Sequence, residues 1–79
     1  MQISVRLLAT LRRYRPEMPR GKALSLDVPA GTTVDEVVRQ LGIPDNVPLV
    51  AMVNSGVCKL DYVLVEGDKL ALFPPVAGG

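Results

Sequence analysis

The chain is 79 residues long, 48% of its residues are hydrophobic, and its net charge at neutral pH is +1. This length allows one small domain, and the apolar content argues against a disordered chain. With one cysteine, Cys58, and no histidine, the chain cannot form an internal disulfide, a zinc site of the usual kind or a Ser-His or Cys-His nucleophile pair. No apolar run approaches the roughly 18 residues of a membrane span, so we expect a cytoplasmic protein.

The first third of the chain predicts two strands joined by a basic loop. Apolar and polar residues alternate over residues 2–7, the period of two that marks a half-buried strand. Leu8 and Ala9 then make the strand end apolar on both faces, which is typical of a central strand. The segment from Leu11 to Gly21 is rich in arginine and proline and predicts a loop. A second alternating run, residues 24–28, predicts the next strand.

A helix is predicted after Gly31. Thr33 and Glu36 fit a capping box, in which the threonine oxygen accepts from a first-turn amide and the glutamate reaches back to the cap. Apolar residues then follow the i, i+3, i+4, i+7 spacing of one helix face: Val34, Val37, Val38 and Leu41. Gly42 and Pro44 end the helix. About nine residues do not form a stable helix alone in water, so this helix must pack on a sheet.

Three further strands are predicted in the second half. A continuous apolar run covers residues 49–53, and after an Asn-Ser-Gly turn residues 57–60 predict a short edge strand. The last strand is 69–73, in which Leu70 and Leu72 share one face and Ala71 and Phe73 share the other. We interpret Phe73 as part of an apolar patch that contacts a partner. This order of elements predicts an α+β fold, a mixed sheet with one helix across one face.

The C-terminal segment is suited to act as a reactive tail. Pro74 and Pro75 end the last strand and project the residues after them in an extended form. Gly78 and Gly79 have no Cβ and can pass through narrow channels. We therefore divide the chain into a domain over residues 1–74 and a tail over residues 75–79, whose reactive group is the terminal carboxylate. The alternative is a frayed end, which is common at termini.

Charge is unevenly distributed along the chain. Residues 1–22 contain six basic side chains and one acidic one, whereas residues 23–79 contain three basic and seven acidic ones. Tyr14 in the basic loop could stack on a base, but the overall charge balance is below that of typical nucleic-acid-binding domains. We expect a solvated basic face rather than a nucleic-acid site. Cys58 lacks an activating neighbour, so we expect a packed strand residue rather than a nucleophile.

Three segments resemble the MoaD/ThiS family of ubiquitin-like sulfur carriers, with the greatest likeness to the small subunits of molybdopterin synthase. These segments are Val50-Ala51-Met52-Val53-Asn54, Val65-Glu66-Gly67-Asp68 and Leu72-Phe73-Pro74-Pro75-Val76-Ala77-Gly78-Gly79. The resemblance implies a β-grasp fold, which agrees with the predicted order of elements. It does not extend to the basic loop, which is unusually rich in arginine and proline for this family.

The resemblance implies that an E1-like adenylyltransferase uses ATP to activate the carboxylate of Gly79, and that a persulfide sulfur donor then converts it to a thiocarboxylate. The chain would bind no cofactor itself. The large subunit of molybdopterin synthase, which acts on a pterin precursor, would receive the sulfur and supply the catalytic groups. The implied partner-binding residues are Ala71, Phe73, Pro74, Pro75, Val76, Ala77 and Gly78.

Other functions fit the same residues. The short segment 42–48 is equally similar to carriers that serve thiamine, cysteine or tungsten-cofactor pathways, and a ubiquitin-like modifier would use the same tail. A function of a different class is a stand-alone β-grasp binding module, which would bind RNA through the basic loop.

Overall fold

The structure is a computed structural model that describes residues 1–17 and 22–75. The chain forms β1 (Gln2–Leu7), the 3₁₀ helix η1 (Ala9–Tyr14), β2 (Leu24–Asp27), α1 (Val34–Gln40), β3 (Val50–Val53), β4 (Gly56–Cys58) and β5 (Lys69–Phe73). The strands make one sheet in the order β2-β1-β5-β3-β4. The predicted combination of a mixed sheet and one helix is confirmed.

The strand β5 is the middle strand of the sheet. It pairs in parallel with β1 and antiparallel with β3. One further hydrogen bond extends the β1–β5 ladder, because the amide of Leu8 donates to the carbonyl of Leu72 at 2.9 Å. Parallel strands end at the same edge of a sheet, so the segment after β1 begins beside the segment after β5.

The helix α1 begins at the predicted capping box. The hydroxyl oxygen of Thr33 accepts from the amide of Glu36 at 3.3 Å, and Oε1 of Glu36 accepts from the amide of Thr33 at 2.9 Å. Leu41 is the C-cap, and Gly42 follows it with φ +87°, the left-handed conformation in which glycine ends many helices. The apolar face of α1 is buried, as its spacing predicted.

The hydrophobic core joins α1 to alternate residues of the strands. It consists of Ile3, Val5, Leu7, Leu11, Val28, Val34, Val37, Val38, Leu41, Ile43, Ala51, Val53, Leu64, Leu70 and Leu72. The other alternate residues of the strands point to the opposite face of the sheet, and none of those described is fully buried. One face of the sheet therefore forms the core, and the other is open.

Two predictions for the N-terminal third need correction. The strand β1 ends at Leu7, and Leu8 is 38% exposed, because β1 is central in hydrogen bonding but only one face of the sheet packs on the core. The residues from Leu11 to Tyr14 belong to η1 rather than to a loop. The reason is Leu11, whose buried side chain fixes this turn to the core. Residues 18–21 of the predicted loop lie outside the described residues.

None of the helices in residues 1–17 and 22–75 has the length and apolar character needed to cross a membrane.

Candidate functional site

The strand β5 positions four of the predicted partner-binding residues. Its burial alternates, so that Leu70 and Leu72 lie in the core while Ala71 and Phe73 are half-buried on the opposite face, as predicted. Pro74, which is half-buried, and Pro75, which is exposed, follow directly. The other predicted site residues lie outside the described residues: Val76, Ala77, Gly78 and Gly79.

The residues around Ala71 and Phe73 form an apolar surface on the open face of the sheet. In the register of the sheet Ala71 lies beside Met52, and Met52 lies beside Val57. Phe73 lies beside Val50. We call this surface, together with Leu8, the outer patch: Leu8, Val50, Met52, Val57, Ala71 and Phe73.

Leu8 completes the outer patch at the edge where β5 ends. Its backbone is extended, with φ −110° and ψ 154°, so its side chain continues the alternation of β1 and points to the same face as Arg6. Leu8 is 38% exposed and Val57 is 74% exposed. Exposed large apolar side chains that cluster in this way are typical of protein contact surfaces.

The sequence pattern predicts only two of the six outer-patch residues, Ala71 and Phe73. Val50 and Met52 lie in a continuous apolar run, in which the pattern does not distinguish one face from the other. The apolar pair Leu8 and Ala9 predicts a strand end that is covered on both faces. The pattern of residues 57–60 predicts an edge strand but gives Val57 no role in binding. The missing signal is the cross-strand register, which places these residues beside Ala71 and Phe73 and which no local pattern contains.

A depression of about 460 Å³ adjoins the outer patch on the same face. Met52 and Ala71 contribute to its lining, and so do the cationic side chains of Arg6 and Lys69. Arg6 is the register partner of Ala71. The apolar surface therefore has positive charge at its border, which favours partners with acidic groups next to an apolar contact area.

Cys58 lies in β4 and is half-buried. Burial, and then the negative charge of Asp68, raise the pKa of the Cys58 thiol above its usual value. The reactive thiolate is therefore disfavoured at neutral pH. In the described part of the chain no three or more His, Cys, Asp or Glu side chains are placed to hold a metal ion together.

The chain is similar to a known protein family and to a curated protein. A sequence model described as the ThiS family matches residues 5–79. Among curated proteins, the protein RnfH of Paramagnetospirillum magneticum is 33% identical over 63 residues, a match that covers 72% of this chain. The match spans 65% of the length of that relative.

Solved structures share the fold. SAMP1, the small archaeal modifier protein 1 of Haloferax volcanii, has a TM-score of 0.75 at 24% identity, with both chains fully covered. A chain in the complex of subunits 1 and 2 of the molybdopterin-converting factor from Helicobacter pylori has a TM-score of 0.63 at 19% identity, again with both chains fully covered. The arrangement of five strands and one helix is thus the β-grasp, ubiquitin-like fold that the sequence predicted.

Proposed function

The chain belongs to the ThiS family of ubiquitin-like sulfur carriers, and from this we propose that it carries sulfur as a thiocarboxylate on Gly79 and delivers it as the small subunit of molybdopterin synthase. The assignment to molybdopterin synthesis is more specific than the carrier role that the family indicates. It is supported by the Phe-Pro-Pro-Val-Ala-Gly-Gly ending and by the structural likeness to a molybdopterin-converting factor complex. We place this activity in the cytoplasm.

One observation carries the proposal. The strand β5 is the middle strand, and Pro74 and Pro75 follow it directly, next to Phe73 of the outer patch. A partner that binds the outer patch would therefore also lie next to Pro74 and Pro75, the residues that precede the rest of the tail in sequence. The prolines restrict the approach, and Gly78 and Gly79 add no side chains to it.

The chemistry requires activation because a carboxylate is a poor electrophile. In the proposed reaction an oxygen of the Gly79 carboxylate attacks the α-phosphorus of ATP in the E1-like enzyme, which forms an acyl-adenylate and releases pyrophosphate. The terminal sulfur of a persulfide donor then attacks the acyl carbon, and AMP leaves. A second thiol of the donor cleaves the resulting acyl disulfide, so that the thiocarboxylate departs and the donor thiols are oxidised to a disulfide.

In this proposal the chain itself provides the surface that binds the partners and the tail that enters their active sites. We propose that Ala71, Phe73 and the other outer-patch residues bind first the activating enzyme and later the acceptor, while residues 75–79 enter each active site. The partners supply the groups that bind ATP, transfer sulfur and act on the pterin precursor. ATP is then a substrate of the partner, and this chain needs no cofactor of its own.

The test is the intact mass of the protein after incubation with ATP, a persulfide donor and a candidate E1-like enzyme. We expect the mass gain of one oxygen replaced by one sulfur in the full-length chain. A variant that lacks Gly79 should show no gain and should unfold at the same urea concentration as the full-length chain. The proposal fails if no E1-like enzyme of the host produces the gain, or if removal of Gly79 unfolds the domain.

A second measurement identifies the acceptor. The thiocarboxylated protein is mixed with a candidate molybdopterin synthase large subunit and its pterin precursor, and loss of the sulfur mass is followed. We expect transfer here and none with acceptors of the thiamine or cysteine pathways. Transfer only to one of those acceptors would keep the carrier role and reject the pathway.

The likeness to SAMP1, named as a modifier, favours one alternative. A ubiquitin-like modifier would form an amide bond between Gly79 and a lysine of another protein. After tryptic digestion of host proteins, peptides whose lysines carry residues of this tail would support that function. Their absence in cells that contain the thiocarboxylated form would reject it.

A further inference from the structure

The fold turns the uneven charge of the sequence into a spatial polarity. Since β1 and β5 are parallel, the basic residues after β1 lie at the edge of the sheet where β5 ends. Acidic residues lie at the opposite edge, where β1 begins. There Asp27 is the register partner of Gln2, and Oε1 of Glu66 accepts from the amide of Gln2 at 3.0 Å. The edge at which β5 ends is thus positive, whereas at the far edge the acidic charge is partly offset, because the N-terminal ammonium group pairs with Asp27 at 3.3 Å and Lys69 lies beside Ser4.

The helix η1 holds two arginines at the positive edge. Leu11 is buried in the core, its amide donates to the carbonyl of Leu8 at 3.1 Å, and η1 contacts β5. Arg12 is half-buried and Arg13 is exposed. The guanidinium carbon of Arg13 lies 5.8 Å from the centre of the Tyr14 ring. Arg12 and Arg13 therefore lie on a helix that is anchored in the core and that contacts β5, the strand that precedes the tail.

Within the described part of the chain, no carboxylate oxygen lies within 4.0 Å of a nitrogen of these arginines. In residues 1–17 and 22–75, the cations within 4.0 Å of a carboxylate oxygen are the N-terminus, Arg15 and Arg39. Arg12 and Arg13 are not among them, and neither is Arg6, which adjoins the outer patch. We call Arg6, Arg12 and Arg13 the basic rim.

We propose that the basic rim docks against an acidic protein surface at the entrance of the adenylating enzyme's active site. This inference rests on the proposed function. Arg6 is the register partner of Ala71 in the outer patch. The helix η1, which carries Arg12 and Arg13, follows Leu8 of the patch directly and contacts β5. A partner bound to the patch would therefore lie close to the rim as well. Complementary charges beside an apolar contact mainly raise the rate of encounter and fix orientation. A carrier that must bind and leave its activating enzyme in every cycle needs both effects.

The composition of this edge favours an acidic protein over a nucleic acid. Tyr14 is the only aromatic residue of η1, it is half-buried, and Arg13 lies against its ring. Single-stranded nucleic acids are bound by several exposed aromatic side chains along a basic groove. The rim instead continues into apolar side chains, since Arg6 is the register partner of Ala71.

The test is ATP–pyrophosphate exchange by the adenylating enzyme at increasing carrier concentration, with Arg12→Gln/Arg13→Gln against the wild type. At low salt we expect the KM for the carrier to rise about tenfold with kcat unchanged, because the tail and its chemistry are intact. The wild-type KM should increase with salt and the variant's KM should change less. Arg13→Gln alone, at an exposed position, keeps the test valid if Arg12 proves necessary for folding.

A matched control variant distinguishes an effect of the rim arginines from an effect of the net charge of the protein. Ala30→Glu/Asn46→Asp changes the net charge by the same amount at exposed positions in the connections that flank α1. Its KM should stay within about twofold of the wild type. Equal effects of the two double variants, or no effect of the rim variant, would overturn the proposal.

The same experiment distinguishes failure of the proposed function from failure of this inference alone. If the wild type supports no exchange with any E1-like enzyme of the host, the proposed function fails and the inference fails with it. Exchange that is unaffected by the rim variant rejects the inference alone.

Fluorescence anisotropy with a single-stranded oligouridine tests whether the rim binds a nucleic acid instead of a protein. Binding that the rim variant loses, together with an unchanged KM, would make the rim a nucleic-acid surface.

Discussion

The side chain of Asn54 donates a hydrogen bond from Nδ2 to Oδ1 of Asp68 at 2.9 Å, which ties the turn after β3 to the turn before β5. Oδ1 of Asn54 accepts from the amide of Lys69 at 3.0 Å, and Oδ2 of Asp68 accepts from the amide of Val65 at 2.9 Å. Asp68 is 3% exposed. This network fixes the start of β5, the strand that carries Phe73 and is followed by Pro74 and Pro75.

Replacing the buried carboxylate should destabilise the domain. In Asp68→Asn one of the two acceptor oxygens becomes a donor that faces another donor, so we expect the free energy of unfolding to fall by about 1–3 kcal/mol. Glu66→Gln is the control, because it removes the same charge from the same turn at an exposed position where an amide oxygen can still accept. Urea unfolding followed by circular dichroism measures both. Equal losses would contradict the role of the network.

The turn between β3 and β4 offers a stabilising substitution. Asn54 and Ser55 have φ of 51° and 75°, and they are the two loop residues of a hairpin, where such values are typical of a type I′ turn. Serine is strained there, so Ser55→Gly should raise the free energy of unfolding by about 0.5 kcal/mol after the entropy of glycine is included. Asn54→Gly should lower it, because it removes the hydrogen bonds to Asp68 and Lys69. The reverse order of stability would show that the turn is not strained at Ser55.

Neighbouring residues of β5 should separate stability from docking. Leu72 is 0% exposed, so Leu72→Ala should cost about 2–5 kcal/mol. Phe73→Ala, at a half-buried position on the open face, should cost less stability but weaken binding to the activating enzyme. Urea unfolding and titration of the enzyme with each variant test the pair. Normal binding by a folded Phe73→Ala variant would remove Phe73 from the docking surface.

The thiol of Cys58 should be less reactive than an ordinary thiol at neutral pH. Its pKa is raised by burial and then by Asp68, so the thiolate fraction is reduced and alkylation by iodoacetamide should be slow. The rate should rise with pH, with a midpoint above that of the same protein unfolded in urea. Asp68→Asn removes the second cause and should lower this midpoint. A midpoint at or below that of the unfolded protein would contradict the assigned environment.

Much of the fold was accessible from local pattern. The capping box of Thr33 and Glu36, the left-handed Gly42 and the span of the last strand were predicted and are present. Each depends on residues a few positions apart, which interact in the same way in any fold that contains the element. The prediction for Leu8 was wrong because it depends on the tertiary structure. An apolar residue at a strand end does not reveal whether the second face of the sheet is covered.

The sequence by itself determined that five strands and the helix α1 form, and it determined the division of β5 into a core face and an open face. The tertiary structure decided which residues lie beside the end of β5. Parallel pairing of β1 with β5 brings η1, with Arg12 and Arg13, to the end of β5 across some sixty positions of sequence. The register places Val50 beside Phe73, Met52 beside Ala71 and Val57 beside Met52. The physical reason is that periodicity is a local property of the backbone, whereas strand neighbours are selected by burial of the whole core at once.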